Sequence, residues 1–220
     1  MKGIDVGGVY QSNNCGEFVV TAIRGHLDVC VRFIKTGYEC VVAAGAVRRG
    51  KIKDRLCPVV YGRGFIGEGR YVTQERTSEG VVLTKSYRVW ARMLERCYYQ
   101  KSLKARPTYI GCEVCEEWLN FQTFAAWHEQ NYVEGYQLDK DILSGCARGK
   151  LYSPATCCFV SSQQNIEHSR ARHYQLTNPE GEVVRVFNLS KFARENGLNR
   201  GHLCDVSHGH RRYHKGWTAA

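Results

Sequence analysis

Apolar residues follow three rhythms along this chain. Before residue 45 they come in short β-branched runs, EFVVTAI, VCVRFI and YECVVAA, broken at Gly25-His26 and Thr36-Gly37. Runs of that length between turn residues predict strands, so residues 1–66 are expected to form a β-rich unit. In SYRVWARMLERCYY the rhythm becomes helical. Val89, Trp90, Met93, Leu94, Cys97 and Tyr98 share one face, and Ser86 stands at a cap position. NFQTFAAWHEQN predicts a second helix, capped by Asn120, with Phe121, Phe124 and Trp127 on one side. QLDKDIL then alternates as a strand does, with Asp139 and Asp141 on one side and Lys140 on the other. A strand is expected over 136–143, a second over 156–160 and a helix from 162.

The last stretch changes rhythm again. YQLTNPEGEVVRVF reads as a hairpin turning at Asn178-Pro179-Glu180-Gly181. NLSKFARENG predicts a helix with Leu189, Phe192 and Ala193 inward and Gly197 ending it. NRGHLCDVSHG predicts another, capped by Asn199 and stopped by Gly209. Two short helices joined at Gly197-Leu198 make a helix-turn-helix. The domain reading is therefore residues 1–66, 84–173 and 174–220, with YGRGFIGEGRY as a linker or irregular hairpin.

Charge narrows the partners. The 220 residues carry 31 Lys+Arg against 21 Asp+Glu, a net +10. That excess favours a polyanion, most often nucleic acid. VRRGKIKDR holds Arg48, Arg49, Lys51, Lys53 and Arg55 against Asp54 alone, so as a loop it could face phosphates or simply be solvated. In the helix-turn-helix, Asn199, Arg200 and His202 stand where bases are read. Arg211, Arg212 and Lys215 stand where the backbone is held. No run reaches 18 apolar residues, and the N-terminus lacks the apolar core of a signal peptide. A cytosolic chain with no membrane partner and no small-molecule substrate is expected.

The chain has 11 cysteines, and in a reducing compartment their clusters are core residues or metal ligands. Cys112 and Cys115 have zinc-knuckle spacing, and Cys97 and Cys157 could complete a structural Zn²⁺ site. The adjacent pair Cys157-Cys158 is a poor second half, so buried apolar thiols are the favoured reading. Two aspartates on one strand face would instead make a hard-oxygen site suited to Mg²⁺ or Mn²⁺.

In order over roughly 80 residues, RCYYQ, PTYIGCEVCEEWLNFQTFAAWHEQNY, LDKDILSG and GKLYSPATCCFVSSQQN resemble the HNH-related homing-type endonucleases of bacteriophages. NPEGEVV, NLSKFARENGLN and GHRRYHKGW are similar to the modular DNA-binding units fused to such nucleases. The resemblance implies an α+β fold: a ββα-metal (HNH-like) core between a β-rich N-terminal unit and a small hairpin plus helix-turn-helix unit. It implies divalent-metal-dependent hydrolysis of duplex DNA in the cytoplasm of an infected bacterial host. Asp139 matches the metal ligand of the family's first strand, Asn165 the last motif position, and Thr156 the place of the middle Asn. Lys140 stands where the general-base histidine belongs, and a lysine in water is protonated at neutral pH. Asp141 as base or second ligand, or His168 one helical turn past Asn165, are the substitutes. The rival functions are a non-catalytic DNA-binding protein with a degenerate core, and a phage factor that binds and inhibits a host protein. Oligomeric state is left open.

Overall fold

The computed structural model describes residues 3–143, 150–169 and 171–220. It mixes helices and strands around three hydrophobic clusters. The first is the expected β-rich unit. β1 (Val9–Ser12), β2 (Gly16–Gly25), β3 (Asp28–Phe33) and β4 (Glu39–Val42) form one antiparallel sheet in sequence order. Alternation in β2 and β3 sends Phe18, Val20, Val29, Val31 and Phe33 to one buried face. Helix α1 (Ala44–Arg49) covers that face with Val47, and Gly50 closes it at φ 61°. The basic stretch expected as a loop is thus half helix: Arg48 and Arg49 form the last turn of α1, where cations complement the helix dipole.

β5 (Gln74–Thr77) and β6 (Gly80–Leu83) form an exposed hairpin that the apolar pattern does not announce. Next comes α2 (Lys85–Tyr98). Thr84 rather than Ser86 caps it, its hydroxyl accepting from Tyr87 N at 3.4 Å. α3 (Gln100–Ala105), the two-residue strand β7 (Glu113–Val114), α4 (Glu116–Leu119) and α5 (Phe121–Asn131) follow. Asn120 caps α5 as expected, accepting from Gln122 N at 2.9 Å. The predicted apolar faces of α2 and α5 meet. Trp90, Met93, Leu94, Phe121 and Phe124 are all within 1% of full burial, and the Trp90 indole N–H donates to Trp118 O at 2.6 Å.

Of the two readings of the glycine-spaced stretch, the irregular hairpin holds at its start, where Val60 and Gly64 exchange backbone bonds at 3.0 and 2.9 Å, and the rest is docked rather than a linker. Phe65 N donates to Leu119 O and Phe121 N to Phe65 O, both at 2.9 Å, while the Gln122 amide bridges the backbone of Ile66 and Tyr71. Val60, Phe65, Ile66 and Tyr71 pack on the middle cluster. The glycines permit this close approach. A Cβ on Gly64 would strike Leu94 and Trp90, and one on Gly67 would overlap the Asn120 amide.

β8 (Gln137–Asp139), β9 (Leu151–Tyr152), β10 (Cys158–Val160) and α6 (Ser162–Ser169) complete the middle segment. β8 pairs antiparallel with β10, and β7 pairs parallel with β9. β11 (Tyr174–Thr177), β12 (Val183–Val186), α7 (Leu189–Glu195), α8 (Arg200–Ser207) and β13 (Thr218–Ala219) make the last unit. Its core is Leu176, Val186, Leu189, Ala193, Leu203 and Val206. The basic tail does not trail away: β13 returns to pair with β11, giving the order β12-β11-β13.

One buried titratable group gives this fold a pH dependence. His128 on α5 is 6% exposed and packs on Tyr132, Phe159 and Phe124, its Nε2 without a hydrogen-bond partner among the described residues. Burial first, and then the charge of Lys85, hold its pKa below 6.5. The unfolded chain, titrating near 6.5, therefore binds more protons than the fold as the solution is acidified. The stabilisation is full above about pH 6.5 and is lost as pH falls below it. His128→Phe should flatten the fall in denaturation midpoint between pH 7 and pH 5. Parallel slopes for the two proteins would show that another group controls it.

Candidate metal centre and nucleic-acid interface

The strand expected over 136–143 stops at Asp139. Its Oδ1 accepts from Asp141 N at 2.8 Å and from Ile142 N at 2.9 Å. A carboxylate that bonds its own chain two and three residues on turns the backbone out of a ladder. The expectation that Asp139 and Asp141 share a strand face is thereby corrected, because Asp141 lies in the turn.

Lys140, just past the end of β8, is turned toward the middle cluster. It is 8% exposed, its ammonium 2.6 Å from Asp141 Oδ1 and 5.9 Å from the centre of the Tyr152 ring. Its charge also reaches Cys97 and Cys112. So the residue in the base histidine's place packs into the middle core, beside the cysteines.

Those cysteines are held as neutral thiols. Burial pushes both Cys97 and Cys157 up to about 12, and Cys115 up to about 11. Cys115 associates with Glu117 and Trp118 beside it rather than with the other thiols. Among the described residues no group of three or more His, Cys, Asp or Glu side chains is arranged to hold a metal ion. The thiols of Cys97, Cys112, Cys115 and Cys157 are not gathered into such a group; Cys97, Cys112 and Cys157 are buried and Cys115 is half-buried. Only about one thiol in ten thousand is ionised four pH units below its pKa. Cys97 and Cys157 should therefore resist iodoacetamide at pH 8 and react fully in guanidinium, read by peptide mass spectrometry. Native labelling as fast as in guanidinium would contradict the packing described.

On the Asp139 side, β8 and α6 are tied together. Gln137 precedes Asp139 by two residues and so shares its face of β8. The Asn165 amide donates to Gln137 Oε1 at 3.3 Å, and the Gln137 amide lies 3.4 Å from Ser162 Oγ. The helix start is fixed by a reciprocal cap: Gln164 N donates to Ser161 Oγ at 3.2 Å, and Ser161 N to Gln164 Oε1 at 3.0 Å. Cys158 lies directly opposite Asp139 on β10. Half-buried Asn165 is thus tied to Gln137, the residue that shares Asp139's face of β8. Gln137, which joins β8 to α6, has no counterpart in the motif and could be found only from the pairing. Thr156 clamps a turn, its hydroxyl donating to Leu151 O at 2.7 Å and accepting from Ser153 N at 3.0 Å. His168 lies on α6, but its side chain falls outside the described residues.

The predicted DNA contacts separate into two regions. Lys51 and Lys53 are exposed along a cleft beside the N-terminal sheet, apart from Arg48 and Arg49 on α1. In the last unit Arg200 is exposed at the start of α8, whereas Asn199 is committed as its cap, accepting from His202 N at 3.0 Å. His202 is half-buried against His214, with ring centroids 4.9 Å apart. His214 Nε2 accepts from Asn199 N at 3.1 Å. Burial, then His202, Lys215 and Arg211, keep its pKa below the usual range, consistent with a neutral ring that can accept. Arg211 and Arg212 are exposed, and Lys215 donates to Gly197 O at 2.9 Å, pinning the turn between α7 and α8.

No protein-family model matches the chain, and no curated protein does. Among solved structures, part of it is similar to the HNH homing endonuclease I-HmuI, a structure described for DNA binding and cleavage. The likeness is distant and partial: 23% identity, a TM-score of 0.22, and coverage of 44% of this chain and 65% of that one. The chain therefore spans just under two thirds of the relative it matches. No helix among the described residues is long and apolar enough to cross a membrane.

Proposed function

We propose that this protein is a divalent-metal-dependent endonuclease of the phage homing type, cutting duplex DNA at the β8–β10–α6 unit. The observation that carries the reading is the Gln137 bridge. It holds Asn165 of α6 on the strand face that bears Asp139. The donor set fits Mg²⁺ or Mn²⁺. Both groups offer hard oxygens, and a carboxylate keeps acceptor sites beyond the two N–H bonds Asp139 makes. Such an ion keeps several waters and needs few protein ligands, and held there it would supply Lewis-acid polarisation of the scissile phosphate.

The chain's own residues do the rest. Asp139 fixes the turn and presents its remaining lone pairs. Asp141, half-exposed and paired with Lys140, or His168 on α6, would take the proton from water. Lys140 orders the turn from beneath. Arg200 of α8 reads bases, with Asn199 and His202 shaping the helix start that presents it. Arg211, Arg212 and Lys215 place the duplex backbone. The net charge of +10 supports a nucleic-acid partner.

A second reading, a non-catalytic DNA-binding protein, is favoured by one observation. The side chain in the histidine's place is turned into the core. The test is incubation of the purified chain with its own source genome. The nuclease reading expects cleavage with Mg²⁺ that stops with EDTA. Binding with no cleavage in any divalent metal would establish the second reading instead.

A further inference from the structure

A cleft of about 1040 Å³ lies between the N-terminal sheet and the docked strap with α2. Its floor is built by alternation. Along residues 51–55, Ile52 and Asp54 are 5% and 4% exposed, while Lys51 and Lys53 are exposed and Arg55 half-buried. All five residues line the cleft, Lys51, Lys53 and Arg55 with the more exposed side chains and Ile52 and Asp54 with the buried ones. The segment is pinned in that phase. Ser12 Oγ donates to Ile52 O at 2.8 Å, and Asp54 accepts from Thr36 Oγ1 at 2.6 Å and from Leu56 N at 2.7 Å. The same Thr36 hydroxyl accepts from Tyr38 N at 3.2 Å, which ties one tyrosine of the wall to the cationic floor. Tyr71 from the strap and Tyr87 from α2 also line the cleft, with the Arg70 guanidinium 4.8 Å from the centre of the Tyr71 ring and the Tyr71 hydroxyl donating to Glu129 Oε2 at 2.7 Å.

Cations and tyrosine rings in one lining match the chemistry of an unpaired nucleic-acid strand, with phosphates on the lysines and bases stacked on the rings. Asp54 accepts from Thr36 and Leu56 and keeps its charge in the cleft lining, where it and Glu68 act on Tyr38, against the three cations Lys51, Lys53 and Arg55. The volume suits a few nucleotides, at the upper end of small-ligand clefts, rather than a double helix. We propose that this cleft binds a short single-stranded DNA segment, using Lys51, Lys53 and Arg55 for phosphates and Tyr38 and Tyr71 for bases. The proposal rests on the nucleic-acid part of the functional reading. It requires no cleavage, and it assigns the N-terminal cations a different DNA form from that held by the tail.

The experiment is fluorescence anisotropy of the full chain with a labelled oligothymidylate of about eight nucleotides. A labelled duplex and inorganic polyphosphate serve as comparison probes. Lys51→Ala/Lys53→Ala changes two exposed side chains. It should weaken oligothymidylate binding about tenfold or more and lower the salt slope by about 0.7 for each phosphate no longer neutralised. Tyr38→Leu keeps apolar volume beside Phe33 and should weaken binding about fivefold or more. Duplex binding should be unchanged in both variants, and should fall in Arg211→Ala/Arg212→Ala, where oligothymidylate binding stays. The proposal is overturned if the wild-type chain does not bind oligothymidylate or if the lysine pair does not matter. It is also overturned if Tyr38→Leu binds normally while polyphosphate competes as well as the oligonucleotide. Absence of cleavage, by contrast, would overturn the nuclease reading and leave these binding results standing.

Discussion

On the proposed nuclease reading, Asp139→Asn is expected to lower Mg²⁺-dependent cleavage of duplex DNA by about a hundredfold or more while leaving the melting temperature in place. Asp139 does two things at once. Its Oδ1 closes the turn by accepting from Asp141 N and Ile142 N, and its charge faces the Asn165 side of β8. An asparagine oxygen can accept the same two N–H bonds, as Asn does in turns and caps. It lacks the negative charge that holds a hard cation, and several kcal/mol of transition-state stabilisation go with the metal. Asp139→Ala loses both functions. It should cost about 1 kcal/mol of stability as well as the activity. The pair of variants thus separates structure from chemistry in one assay of cleavage and one of melting. Wild-type cleavage rates in folded Asp139→Asn would remove this carboxylate from the metal site.

Gly67→Ala is expected to destabilise the protein by about 2–5 kcal/mol, summing a left-handed backbone strain of about 1–2 and an overpacking term of about 1–3. Gly67 has φ 71°, donates its N–H to Arg55 O at 2.8 Å, and would drive a Cβ into the Asn120 side chain. Asn120 is the cap of α5, so the clash also strikes the first turn of the helix that carries Phe121 and Phe124. Gly181→Ala is the control: its φ is 89°, but nothing lies within 4 Å of an added Cβ, so the strain term alone remains. Denaturant midpoints of the two variants measure the difference. Equal shifts would mean that the strap does not press on the helix cap.

Much of the helical structure was legible because its causes are local. Asn120, Asn188 and Asn199 each bond an N–H two or three residues on, and each announces the helix that follows. The apolar faces of α2 and α7 are periodic because one side of each must be buried. The motif residues Asp139 and Asn165 could be picked out by their order along the chain. Hairpin β5–β6 escaped because its residues are exposed on both faces, which leaves no apolar alternation to detect.

Sequence alone therefore determined the basic character of the protein, most of its caps and turns, and the two short helices of the last unit. Each depends on residues within a few positions of one another, where backbone geometry fixes who can touch whom. Only the tertiary structure decided that the glycine stretch is a strap, that the strand ends at Asp139, and that Lys140 packs into the core with the thiols. It alone revealed the bridge from Gln137 to Asn165 and the gathering of Lys51, Lys53 and Arg55 with Tyr71 along one cleft. These depend on contacts between segments far apart in the chain. They are set by which apolar surfaces pack together, and no local pattern encodes that choice.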